Sequence, residues 1–145
     1  MAPNCRRPRS HLMTDTIRTG GCACGQVRLT LTGQPRRVGL CHCMTCRKSH
    51  GAAYNPFAVF ERRQVRMTGD TAAWESSPGY VRRFCPVCGS SVMFEDVTGG
   101  EEVEVSLGSL DEPRQFTPSY ELWVKRRETW QAALPVEQWD EDRRA

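Results

Sequence analysis

The sequence predicts a mainly β protein of short antiparallel sheets with one short helix, and three observations carry that prediction. Apolar positions fall in brief stretches rather than long helical periods. Twelve glycines and nine prolines punctuate those stretches along the chain. Seven of the eight cysteines stand in three tight clusters, the spacing by which a small fold of strands and turns is held together. A length of 145 residues suits one domain with one core. We expect a disordered leader over residues 1–13 and a single domain over residues 14–145.

The leader carries Arg6, Arg7 and Arg9 and no acid, and these three account for the whole excess of 20 basic over 17 acidic side chains. The domain that follows is balanced and gives no electrostatic case for a nucleic-acid partner. The leader is basic like the first region of a signal peptide, yet no apolar stretch of the required length follows it. Mean hydropathy is −0.56, and no apolar run approaches the roughly 20 residues that span a bilayer. A cytoplasmic protein with neither a membrane nor a nucleic-acid partner is expected.

Residues 26–32, Gln-Val-Arg-Leu-Thr-Leu-Thr, alternate apolar and polar side chains, as a strand with one buried face does. Gly33 and Pro35 end it. Residues 52–60 and 64–68 read as further strands, the second closed by Gly69-Asp70. Ser76-Ser77-Pro78-Gly79 reads as a turn before a strand over 80–84. Strands are expected again at 91–94, 102–105 and 120–124. Residues 43–50 suit a short helix stopped by Gly51. Residues 134–145 show no periodicity and are expected to fray.

The clusters are Cys22-Ala-Cys24, Cys41-His-Cys43-Met-Thr-Cys46 and Cys85-Pro-Val-Cys88-Gly. A disulfide framework is disfavoured, because the chain shows no export signal and an odd number of clustered thiols remains; metal binding accounts for them better. Cys22 and Cys24 leave the same face of an extended chain. Cys85 and Cys88 form a knuckle in which Gly89 permits the tight turn. Together the two pairs make a closed site of four thiolates for Zn²⁺, with no position left for a substrate, hence a structural one.

Cys41, Cys43 and Cys46 remain for a second Zn²⁺. Three thiolates leave a fourth position open, the arrangement of a catalytic site. His42 lies between two such ligands and is expected to point away. His50 reads as a surface or capping residue at the helix end, and Cys5 and His11 belong to the leader. Three thiolates carry a net charge near −1 with the ion, which disfavours hydroxide chemistry and favours a thiol as fourth ligand. Arg47, Lys48, Arg82 and Arg83 are candidates to offset that charge.

At these residues the chain resembles the family of glutathione-dependent formaldehyde-activating enzymes, which shares its domain with centromere protein V. The resemblance rests on Gly21-Cys-Ala-Cys-Gly-Gln-Val-Arg28, Cys41-His-Cys-Met-Thr-Cys-Arg47 and Arg83-Phe-Cys-Pro-Val-Cys-Gly-Ser90. Gly108-Ser-Leu-Asp-Glu-Pro113 and Trp130 extend it more weakly. It implies an Mss4-like, tent-shaped zinc fold, with structural zinc on Cys22, Cys24, Cys85 and Cys88 and catalytic zinc on Cys41, Cys43 and Cys46. It also implies a carbon-sulfur lyase activity in which glutathione and formaldehyde form S-hydroxymethylglutathione. Many members carry His where this chain has Tyr120, and Tyr120 reads equally as a core residue. Arg36, Arg37, Arg62 and Arg63 are candidates for the charged ends of glutathione. A non-catalytic zinc-stabilised scaffold and a thiol redox sensor stand as alternatives to the enzyme.

Overall fold

The structure is a computed structural model that describes residues 15–144; the expected leader and Cys5 lie outside them. The chain forms β1 (Ile17–Gly21), β2 (Arg28–Thr32), β3 (Arg37–Cys41), α1 (Met44–His50), β4 (Asn55–Glu61), β5 (Val65–Thr68) and β6 (Ala72–Ser77). It continues through β7 (Tyr80–Phe84), β8 (Ser91–Asp96), β9 (Glu102–Ser106), β10 (Tyr120–Leu122) and β11 (Glu137–Gln138). Short 3₁₀ turns lie at Arg62–Gln64, Leu107–Ser109 and Val124–Arg126. The fold is mainly β with one α-helix, as the sequence predicts.

The strands build a three-stranded sheet, β1-β2-β5, and an eight-stranded sheet in the order β11-β10-β3-β4-β9-β8-β7-β6. The smaller sheet is antiparallel. The larger is mixed, because β10 runs parallel to both β3 and β11. That pairing departs from the purely antiparallel expectation and comes from the long return of the chain between β9 and β10.

Alternation in β2 buries Leu29 and Leu31 and leaves Arg28, Thr30 and Thr32 half-buried. The buried pair meets Val38, Ala58, Phe60, Val92, Val103 and Val105 of the larger sheet in one core. Each such side chain contributes about 1.5–3 kcal/mol when fully buried. The opposite face of the larger sheet holds a second cluster of Cys41, Cys46, Phe57, Val59 and Tyr120, with Trp123 and Trp139 against it. On that face the register runs Arg37, Val59, Glu104, Phe94, Arg82 and Trp74 across β3, β4, β9, β8, β7 and β6.

Strands β1, β3, β6 and β11 are additions to the expected set. Residues expected as a turn at 76–77 close β6, and β10 stops at Leu122 because Trp123 takes a left-handed backbone, φ 56°. The expected fraying of the last residues does not hold over 137–142. There β11 pairs with β10, Trp139 N donates to Glu121 O at 2.9 Å, and Trp123 Nε1 donates to Asp142 Oδ1 at 2.8 Å.

Candidate metal centres

Two turns present the first cysteine group. After β1, Cys22 N donates to Val27 O at 3.0 Å and Gly25 N to Cys22 O at 3.1 Å. After β7, Cys85 N donates to Ser90 O at 3.0 Å and Gly89 N to Cys85 O at 2.9 Å. Gly25 and Gly89 sit at φ 83° and 76°, a conformation that a side chain disfavours. The turns bring Cys22, Cys24, Cys85 and Cys88 together, with their four sulfurs within 4.8 Å of one another. Cys22 and Cys24 Sγ are 3.5 Å apart, and Cys24 and Cys85 Sγ 3.7 Å. Val27 N donates to Cys22 Sγ at 3.1 Å. A hydrogen bond with the Ser90 hydroxyl, joined by the Ser90 backbone, brings the Cys88 thiol down to about 5.

The second group stands at the junction of β3 and α1. Cys41 ends β3, Cys43 caps the helix and Cys46 lies in its first turn; their sulfurs are likewise within 4.8 Å of one another. Cys46 N donates to Cys43 Sγ at 3.3 Å and Cys43 N lies 3.5 Å from Cys41 Sγ. Hydrogen bonds from the Cys41 and Cys46 thiols bring Cys43 down to about 2, and the same sharing of protons pushes Cys41 up. Cys43 is therefore the thiol of the three disposed to be anionic.

Both groups fit a soft metal ion. A tetrahedral site with metal–sulfur bonds of about 2.3 Å has sulfur–sulfur edges of about 3.8 Å, close to the separations above. The four-cysteine group fills such a tetrahedron. The three-cysteine group leaves one corner, and Cys43 forms part of the wall of a cavity of about 450 Å³. Met44, Phe94 and Trp123 give this cavity apolar walls, and Arg82, Arg126 and Asp142 give it charges. Arg82 Nη2 is 3.7 Å from Cys46 Sγ, its Nε donates to Ser76 Oγ at 3.2 Å, and its guanidinium lies 4.7 Å from the Phe94 ring centre.

The model of the family described as glutathione-dependent formaldehyde-activating enzyme matches residues 17–126. The chain belongs to this family. A relative from Schizosaccharomyces pombe, named an uncharacterized lyase, is 26% identical over 80 residues. The match covers 55% of this chain and 58% of that protein's length. A crystal structure of a Rhodobacter sphaeroides protein superposes with a TM-score of 0.55 over 83% of this chain and 98% of that one. At 18% identity it bears on the fold alone.

Within this member of the glutathione-dependent formaldehyde-activating family, His42 points away from the sulfurs. It is fully buried, its Nε2 lies 3.1 Å from Glu121 Oε1, and burial pushes its pKa down. His50 Nδ1 donates to Cys46 O at 2.9 Å, so its Nε2 accepts from Ser106 Oγ at 3.0 Å. Tyr120 is buried edge-on to Phe57 with its ring across Gly39, under the Arg143 guanidinium.

Of the arginines singled out for the cysteine charge, Arg82 alone contacts a cysteine sulfur among the described residues. Arg47 pairs with Glu128 and donates to Ala53 O at 3.2 Å and Arg126 O at 3.3 Å, while Arg83 pairs with Glu95. Arg36, Arg37, Arg62 and Arg63 are committed to Glu61, Glu95 and Glu102. Arg62, Arg63 and Arg83 border a cavity of about 840 Å³, but no cysteine lines it and those guanidiniums are already paired.

Proposed function

We propose that this chain is a zinc-dependent lyase of the carbon-sulfur type, acting on small thiol–aldehyde adducts such as S-hydroxymethylglutathione. The observation that carries the reading is a group of three thiols, Cys41, Cys43 and Cys46, one short of a tetrahedron, with Cys43 in the wall of a cavity of about 450 Å³. The family's name and the lyase name of the fission-yeast relative support the reaction class. Cys22, Cys24, Cys85 and Cys88 would hold a second, structural zinc, joining segments some 60 residues apart.

Zinc held by Cys41, Cys43 and Cys46 would favour the thiolate form of an incoming thiol. The chain's own groups do the rest. Arg82, in contact with Cys46, offsets the accumulated negative charge of the sulfurs. Met44, Phe94 and Trp123 offer apolar walls against which the carbon atoms of an adduct can pack. Arg126 and Asp142 offer opposite charges to the carboxylate and ammonium of a peptide thiol. Proximity of thiolate and aldehyde in one cavity supplies the remaining advantage.

The test follows formaldehyde consumption with glutathione, the uncatalysed addition subtracted, for wild type, Cys43→Ser and Tyr120→His. Wild-type activity lost in Cys43→Ser at an unchanged melting temperature supports the reading. Activity gained only on Tyr120→His assigns the site a different adduct. No turnover by wild type with any thiol–aldehyde pair, together with no change of a cobalt-substituted spectrum on adding glutathione, overturns the enzyme in favour of a scaffold.

A further inference from the structure

We propose that Glu104 is the proton-transfer residue of the three-cysteine site, taking the proton of an incoming thiol and returning it to the aldehyde oxygen. This rests on the thiol–aldehyde reading above and adds the group that moves the proton. Addition forms a C–S bond, breaks the S–H bond and the carbonyl π bond, and carries one proton from sulfur to oxygen. No oxidant or reductant takes part, but within a cavity the proton needs a carrier.

Register places the carrier. Glu104 stands between Val103 and Val105, both in the intersheet core, so it projects onto the face that bears Cys41. It lies in the cross-strand row with Phe94 and Arg82 beside it on one side and Val59 and Arg37 on the other. With Asn55, Ser106, His50 and Arg82 it lines a void of about 10 Å³ in that face. This is about the volume of one water molecule, and polar partners surround it. Phe94 and Arg82 are walls both of this void and of the cysteine cavity. Only the Phe94 and Arg82 side chains stand between that void and the cysteine cavity, and a water held in it would relay the proton past them.

Glu104 is also uncommitted. Glu61, Glu95, Glu102 and Glu121 all hold arginine partners, whereas Glu104 has no hydrogen bond or ion pair among the described residues. Arg37 is engaged by Glu102, and Arg82 by Ser76 and Cys46. Burial pushes the Glu104 carboxyl up to about 7. Arg82 on β7 and Arg37 on β3 pull it down; Glu102 on β9 and Asp142 of the C-terminal segment push it up. His50 at the end of α1 and Tyr120 on β10 are further titratable groups beside it, and Tyr80, Glu95, Asp96 and Glu101 share with it a second cavity of about 310 Å³. A carboxyl near neutrality can both take and give a proton at working pH. A purely structural role would instead be served as well by glutamine.

The experiment compares wild type, Glu104→Gln and Glu104→Asp. Wild-type kcat/KM should rise with pH through an apparent pKa near 7. Glu104→Gln should lose that limb and about 10²-fold or more of the rate, with no fall in melting temperature and an unchanged cobalt spectrum. Glu104→Asp should keep the limb at a lower rate. Infrared difference spectra, wild type minus Glu104→Gln, should show a carboxylic acid band that grows when a non-reacting thiol binds at fixed pH. A glutamine variant with the wild-type limb and rate overturns the proposal, as does a band that ignores the thiol. A wild type without turnover strikes the lyase reading itself, and the infrared response still decides whether Glu104 accepts the thiol proton.

Discussion

Glu121→Gln should be the most damaging single-atom change outside the cysteines. Glu121 is fully buried on β10, and every group on its carboxylate is a donor or, in His42, a ring nitrogen able to donate. Arg127 Nη2 and Gln138 Nε2 each lie at 2.7 Å, Leu134 N at 3.2 Å and His42 Nε2 at 3.1 Å. A glutamine amide keeps one acceptor, sets an N–H against these donors and leaves the largely buried Arg127 without its counter-charge. Breaking a buried pair from one side costs about 3–5 kcal/mol. At about 2.1 cal/mol/K per residue over about 130 residues, the melting temperature should fall by about 11–18 °C. Burial pushes the Glu121 carboxyl up, but the bonds from Gln138, His42, Leu134 and Arg127 overrule it and hold the carboxyl below its usual value. Its contribution is therefore present above the unfolded value near 4.5 and lost as pH falls through the lowered folded one. Calorimetry at neutral pH and in acid should show the gap between wild type and variant narrowing in acid. A neutral-pH difference of less than about 3 °C would refute the reasoning.

Elemental analysis of freshly prepared protein should find two zinc ions per chain, and one in Cys43→Ser. Cys85→Ser should lose cooperative unfolding in circular dichroism, since the four-cysteine site contributes directly to folding. Gly39→Ala should lower stability by about 1–3 kcal/mol in denaturant titration, because a Cβ there would stand 2.5 Å from Tyr120 Cζ; a second change, Tyr120→Leu, should recover part of the loss.

What the sequence made legible was local. Two cysteines two apart, a knuckle with its glycine, the alternation of β2 and a seven-residue helix are patterns that span a few residues. β3 was hidden because Val38 to Cys41 are all buried, so no alternation marks them. Gly39, an apparent breaker, is a strand residue because the Tyr120 ring lies across it. β6 is exposed at most positions and carries little periodic signal. β10 and β11 join by parallel pairing, and distant partners hold the tail through Trp123 and Trp139. The engagement of the arginines was hidden for the same reason: Arg36, Arg37 and Arg62 meet Glu61, Glu95 and Glu102 across 25 or more residues of sequence, and the Arg63–Glu61 pair alone among them is local. In Glu-Val-Glu-Val-Ser of β9, Glu104 looks like an ordinary solvent-facing acid. Its half-burial beside Phe94 is a property of the sheet.

The return of residues 137–143 across the functional face governs how the protein can be handled. Asp142 belongs to the cavity wall and Arg143 covers Tyr120, so a cut ahead of residue 137 strips a wall from the cavity and a cover from Tyr120. Trimming this tail would therefore alter every assay of the cysteine site.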